Sequence, residues 1–448
     1  MRRVQSECRI YNFIFQTGDH SMSNSFQREQ LCDGVHFSSV TDPKFKHNRI
    51  TANLVIPLDR ETVTDNAVVP FLLRKGCRSC PDFTRLNRKL YELYGASLAC
   101  DVTKYGGCQS LDLSIYGVDD RFTLGGEEMV RPCAQLLTDI LLDPAFADGV
   151  FPEKDVELER QQIIDVLESQ INDKRFYAMS RCQSIMCEGE KIAIEKYGYI
   201  EDAHKITPAS AADAYRRILR SAQIELLFVG CGNPATAKEI FRQAFSSVER
   251  APVPVEPVHT RPRAEQVNEV TEQLDVAQSK LVLGFRTGGI GGDLKKLAAM
   301  RVMVALYGGT PNSRLFLHVR EKQSLCYYCS ARLNRLTGLM FVDSGVEKAN
   351  KQKAYDEIMN QFRVMQRGEF TDDEITATKL LMQTSLNAVG DSLGAIDDWY
   401  MTQIMMGRVC SPEEESAMIE AVTREEIVEA AGQVTLDTVY FLTGKEAE

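Results

Sequence analysis

Residues 251–263 read APVPVEPVHTRPR, with prolines at 252, 254, 257 and 262. Proline fixes φ and removes a backbone donor, so a run this dense is held extended and can join neither a helix nor a central strand. Whatever fold the chain adopts must therefore be built in two pieces. One ends near residue 250 and the other starts near 264. Both pieces carry mixed helix and strand signals. ITANLVI at 50–56 and SLDLSI at 110–115 alternate apolar and mostly polar positions, as half-buried strands do. Leu111, Leu113 and Ile115 fall on one face, with Asp112 and Ser114 on the other. Leu281, Leu283 and Phe285 repeat the pattern in the second piece, and LMFV at 339–342 forms a further strand. Helical stretches are expected at roughly 84–95, 124–141, 153–188 and 235–249, then 295–307, 351–367, 372–389 and 423–434. Thr371 followed by Asp372, Asp373 and Glu374 suits the start of one of them.

The two pieces also resemble each other. SLACDVTKYGGCQSLDLSIYG at 97–117 and SLCYYCSARLNRLTGLMFVDSG at 324–345 both run strand, turn, strand, glycine. AYRRILRSAQIELLFVG at 214–230 and IVEAAGQVTLDTVYFLTG at 427–444 both run helix, short turn, strand, glycine. An internal duplication follows.

Composition narrows the function. A net charge of −11 argues against a nucleic-acid partner or an anionic membrane surface, and no apolar run approaches a membrane span. Thirteen cysteines, an odd number scattered along the chain, fit reduced thiols and a cytoplasmic setting better than a disulfide framework. The six histidines stand at 20, 36, 47, 204, 259 and 318, no two closer than eleven residues. Every helical histidine-pair zinc motif is therefore missing.

Among segments that could carry chemistry, NSRLFLHVREKQSLCYYC at 312–329 stands out. Leu315, Phe316 and Val319 would line one side of a short helix capped by Asn312 or Ser313, with Arg320 and Lys322 towards solvent. A strand follows at Leu325–Tyr328. Arg320 and Tyr327 thus flank a helix-to-strand junction. There a guanidinium and a phenol can serve a peptide carbonyl or oxyanion, or simply sit on a solvated face and in a sheet. Cys77/Cys80 and Cys326/Cys329 are both C-x-x-C pairs, a shared structural zinc being one reading and small buried thiols the other. Gly288–Gly292 lacks the spacing and ending of a phosphate loop and reads as a flexible connection. The charges at 153–188 suit i,i+4 pairs with Arg160, Lys174 and Arg175. The arginines at 216, 217 and 220 suit a solvated face.

The 308–328 segment closely resembles the second homologous domain of the pitrilysin/insulinase-type metallopeptidases. The resemblance lies in Gly308-Gly309 and Ser313-Arg314-Leu315-Phe316, then Arg320-Glu321-Lys322 and Leu325-Cys326-Tyr327. It extends from about residue 30 to the C-terminus and is nearest to the bacterial half-length branch. The resemblance implies an α+β fold of two homologous domains, each an antiparallel-rich mixed sheet covered by helices on one face. It gives residues 22–250 and 264–448 as the domains, joined by the linker 251–263. Residues 1–21 are then an upstream extension or disordered arm, Met22 opening the family-like sequence. It also implies that Arg320 and Tyr327 bind substrate backbone from across a cleft. The family's zinc motif, H-x-x-E-H, aligns with NAVVPFLLRKG at 66–76. Ala67 and Phe71 take the histidine positions and Pro70 that of the general-base glutamate. Val166 takes the position of the third ligand, seven residues after Glu159. No metal or other cofactor is then expected in this chain.

The expectation is a non-catalytic, substrate-binding subunit of a two-component zinc peptidase acting on peptides or small unfolded proteins. Its partner would be a zinc-bearing half-length homologue, or a second copy of the chain itself. A non-enzymatic peptide-binding or scaffold protein of the same fold is the alternative, and an autonomous peptidase with unrelated ligands the third reading.

Overall fold

The computed structural model describes residues 26–256, 260–289 and 293–445. The extension at 1–21, part of the proline-rich linker and the end of the Gly288–Gly292 run lie outside these residues.

The strands are β1 (Gln27–Cys32), β2 (Val35–Thr41), β3 (His47–Pro57), β4 (Ser97–Tyr105), β5 (Cys108–Val118) and β6 (Gln223–Gly230), then β7 (Asn268–Gln273), β8 (Ser279–Arg286), β9 (Cys326–Asn334), β10 (Leu339–Val346) and β11 (Thr435–Thr443). They form two sheets, ordered β1-β2-β6-β3-β5-β4 and β7-β11-β8-β10-β9. With β1 set aside, the two orders are the same. β2–β6 and β7–β11 are the parallel pairs, and every other pairing is antiparallel. The helices repeat as well. Val63–Leu73, Val130–Leu142, Glu153–Ser169, Lys174–Met186 and Pro208–Ser221 correspond in order to Leu294–Val304, Lys351–Arg367, Asp372–Asn387, Leu393–Met405 and Arg424–Gln433. Each half thus builds its own core on one face of its sheet. Leu111, Leu113 and Ile115 pack with Ala67, Leu72 and Ile140 in the first, and Leu281, Leu283 and Phe285 pack with Met303 and Phe362 in the second.

The fourth helix of each set behaves differently: it crosses to the other half. Lys174–Met186 lies on β8 and β11, and Leu393–Met405 lies on β6 and β3. The sequence reading ran 153–188 as one helix. Asp173 ends that run instead (φ −82°, ψ 89°), accepting from the amides of Arg175 and Phe176 at 3.1 and 3.0 Å, and the chain restarts across the gap. The i,i+4 pairs expected along it give way to long-range partners. Arg175 pairs with Asp343, its guanidinium 4.2 Å from the Tyr328 ring, and Arg181 pairs with Glu272. Gly284 on β8 lets this helix come close, since a Cβ there would sit 2.7 Å from Met186 Sδ.

Leu393–Met405 was not anticipated at all. Leu393, Ile396, Trp399, Tyr400 and Met401 are buried together with Asp397 and Gln403, so it shows no clean apolar stripe. Its position corrects another expectation. β3 and β5 read as half-buried strands, yet Thr51, Asn53, Ser110 and Ser114 are buried as well, because the second half closes over that face. Where the two halves meet below, Arg286 is 1% exposed. Its Nε donates to Asp437 Oδ2 at 2.6 Å, and its Nη2 donates to Glu190 Oε1 and to the Met186 carbonyl, each at 2.7 Å.

Candidate functional site

The helix Val63–Leu73 packs between β5 and the helix Glu153–Ser169. Ala67 and Pro70 are buried within it, Phe71 is half-buried, and Val166 is exposed on the neighbouring helix. Ala67, Pro70 and Phe71 thus lie on one helix and Val166 on a helix packed against it. None of the four side chains carries a donor atom for a metal, so they do not fit zinc. Among the described residues, no group of three or more His, Cys, Asp or Glu side chains is placed to hold a metal ion. Pro70 sits inside the helix, where it cannot donate to the carbonyl of Asn66.

One carboxylate survives beside these positions. Glu159 is 1% exposed and pairs with Lys75 at the end of the ligand-type helix. The charges of this helix read as i,i+4 pairs, yet Glu159 is buried and finds its cation on another element. Cys100 on β4 belongs to the same corner. Burial pushes its thiol up to about 11, against the pull of Arg74 and with a push from Glu159.

In the second half, Leu315–Lys322 forms a wide helical segment with Leu315 and Val319 buried. Neither Asn312 nor Ser313 caps it; the Ser313 hydroxyl is buried without a hydrogen-bond partner, and only its carbonyl accepts, from Leu317 N at 3.0 Å. Arg320, in the last turn, rests its guanidinium 4.7 Å from the Phe316 ring, with Nε 3.6 Å from Glu321 Oε1. Ser324 then takes a positive φ of 50°, its amide donating to the Arg320 carbonyl at 3.1 Å, and β9 begins. The pairing of β9 with β10 slips there: Tyr328 faces Gly345, whereas Cys326 faces Val346. Tyr327 is the unpaired residue of this bulge and turns outward, 61% exposed, while both flanking cysteines of the C-x-x-C are buried. Its hydroxyl donates to Glu347 Oε1 at 3.0 Å, and that carboxylate raises the phenol pKa. Glu347, twenty residues away, was not visible in the sequence; only the slipped pairing brings it here. Among the described residues, no hydrogen bond or ion pair ties Arg320 or Tyr327 to the first half.

β4 ends the first sheet. Towards its C-terminal end the outer edge is covered: Lys196 Nζ donates to the Val102 carbonyl at 2.6 Å, and Lys104 Nζ donates to the Ile192 and Ile194 carbonyls at 2.6 and 2.7 Å. Ser97–Asp101 pair with β5 on one side and, among the described residues, meet no backbone partner on the other.

With this geometry, comparison with known proteins is informative. The family model described as "Peptidase M16 inactive domain" matches residues 205–382. A protein of Bacillus subtilis (strain 168), "Probable inactive metalloprotease YmfF", is 30% identical over 413 residues, covering 92% of this chain and 96% of that one. The chain belongs to the M16 peptidase family. The matched model and the name of this relative both describe inactive members, in keeping with a chain that has no histidine pair. The M16 fold is shared in full with a conserved protein from Enterococcus faecalis V583, at 28% identity and a TM-score of 0.87 over 95% of this chain and 100% of that one. The periplasmic protease PqqL from Escherichia coli matches at 13% identity and a TM-score of 0.72, covering 96% of this chain but 48% of PqqL.

The M16 halves meet over a buried acidic group. Asp397 accepts from Arg49 Nε and Thr51 Oγ1, each at 3.0 Å. Burial pushes Asp397 up to about 6 against the pull of Arg49, and pushes Asp112 up to about 6 against its hydrogen bonds from Ser110 and Thr103. A carboxyl with a raised folded-state pKa stabilises the fold when protonated, and that contribution is lost as pH rises through about 6. Asp112→Asn is therefore expected to flatten the fall in melting temperature between pH 5 and pH 7. An unchanged slope in parallel thermal melts of the variant would show that Asp112 titrates normally.

Proposed function

We propose that this chain is the non-catalytic, substrate-binding subunit of a two-component zinc peptidase acting on peptides or small unfolded proteins in the cytoplasm. A zinc-bearing half-length homologue supplies the metal and the activated water. This chain supplies Arg320 and Tyr327. The observation that carries the reading is an asymmetry: the first-half positions have lost every donor, while the second half keeps an outward guanidinium and phenol at one helix-to-strand junction. A charge and a neutral donor of this kind can hold a peptide carbonyl and stabilise an oxyanion formed from it. The open edge at Ser97–Asp101 adds a way to hold an extended peptide as one more strand. The chain matches about half of PqqL, so two chains of this size together reach the length of that protease.

The test is reconstitution. A zinc-bearing half-length M16 homologue from the same organism is assayed against unstructured peptides alone, and again with stoichiometric amounts of this chain. Cleavage that appears or rises at least tenfold only in the mixture, together with a one-to-one complex, supports the reading. A chain that pairs only with itself, binds peptide and leaves the homologue's activity unchanged is instead a scaffold of the same fold.

A further inference from the structure

A cleft of about 240 Å³ opens in the second half, bounded by Arg301, Gly309, Ala331, Leu333, Arg335 and Met382. Three elements meet there. Arg301 comes from the helix Leu294–Val304, Arg335 from the turn after β9, and Met382 from the helix Asp372–Asn387. By the repeat of elements, this is the counterpart of the place in the first half between Val63–Leu73, Glu153–Ser169 and β4. The chemistry at the two places differs. The first half presents Ala67, Pro70 and Phe71 beside the Glu159–Lys75 ion pair, while the second presents two guanidinium groups.

Those two arginines share one carboxylate. Glu415, on the helix Pro412–Ala421, pairs with Arg301 through Oε1, and its Oε2 lies 3.5 Å from Arg335 Nη1. Their side chains are only 16%, 25% and 8% exposed, so the cleft holds two positive charges against one negative charge with little water to screen them. Arg335 Nη1 is buried without a hydrogen-bond partner. Arg335 is also fixed in place, its guanidinium 5.2 Å from the Trp399 ring, and Trp399 is anchored by its Nε1 donating to the Cys410 carbonyl at 2.9 Å. A buried charge without its full complement of partners is costly, and an added anion would relieve that cost.

We infer that this cleft is a binding site for one small oxyanion, a carboxylate or a phosphate group, held between Arg301 and Arg335. Guanidinium forks match both groups geometrically. The volume, on the order of eight water molecules, suits a small anion rather than a long chain.

The experiment is calorimetric titration of the full chain with sodium phosphate and, separately, sodium acetate, at constant ionic strength set with sodium chloride. One saturable site per chain is expected, and the anion that binds more tightly identifies the source. Arg335→Gln is expected to weaken binding at least tenfold. Glu415→Gln, which removes the competing carboxylate, is expected to tighten it by a similar factor. Glu415→Gln should also melt lower than the parent without the anion and recover with it, a pattern that a purely structural ion pair would not give. Absence of saturable binding to either anion in the parent overturns the inference, as does parent-like affinity in Glu415→Gln. Should Arg335→Gln fail to fold, the Glu415→Gln comparison still decides the question.

Discussion

In a complex with a zinc-bearing homologue, Arg320→Ala is expected to lower kcat/KM for peptide cleavage by about 10²–10³-fold, the usual loss when one oxyanion donor is removed. Tyr327→Phe should cost less, because its hydroxyl is already engaged with Glu347 at 3.0 Å and must exchange that partner for substrate. The fall should lie mainly in kcat if the guanidinium meets charge that develops in the transition state, and in KM if it only holds the ground-state carbonyl. Folding should not confuse the measurement. The Arg320 guanidinium lies against Phe316 and Glu321 and its side chain is 41% exposed, so the stability change should stay within about 0.5 kcal/mol. If the mutant complex cleaves as fast as the parent complex, Arg320 has no part in the site.

The largest stability effect is expected at Arg286. Arg286→Ala leaves the buried Asp437 without its cation and Glu190 with Arg261 alone of its two arginines, a loss that typically costs about 3–5 kcal/mol. It also removes one of the two guanidinium donors to the Met186 carbonyl, at the end of the helix that crosses between the halves. A lower urea midpoint with an unchanged slope would show this as a loss of stability alone. Arg286→Met combined with Glu190→Gln and Asp437→Asn should recover much of the loss, since the uncompensated charges are then gone. The pH dependence should change too. Burial alone would push Glu190 up, but Arg286 and Arg261 outweigh it and hold that carboxyl below its ordinary range. The stability this gives is present above the ordinary carboxylate range and lost as pH falls through the depressed value. In Arg286→Ala that acid-side loss should shrink.

Much of the architecture was legible from local patterns. Alternation in 110–115 and 281–285 located central strands, because a period of two survives wherever one face is apolar. Thr371 with Glu374 announced a helix start, and the two form a reciprocal capping box. The repeats at 97–117 and 324–345 became β4–β5 and β9–β10, since each repeat contains its own turn and its own pairing. The lack of a histidine pair was equally legible. Whether a side chain can donate to a metal is a property of its type, and the absence of a histidine pair needs no coordinates.

What lay beyond reach depended on residues far apart in the chain. Leu393–Met405 is buried on most sides, so it has no periodic stripe to read, and only its seat on β3 and β6 explains the buried Asp397. The break at Asp173 separates two helices of similar composition that end on different sheets. The turning of Tyr327 towards Glu347 follows from a slipped register between β9 and β10, and the cleft at Arg301 and Arg335 from three elements meeting. Two like halves and the lack of a histidine pair could be read in this M16 chain without coordinates, because repeat and residue type are local properties. Only the tertiary structure decided which helix crosses to which sheet, which carboxylates are buried and where uncompensated charge collects, because burial and charge balance are set by groups brought together across hundreds of residues.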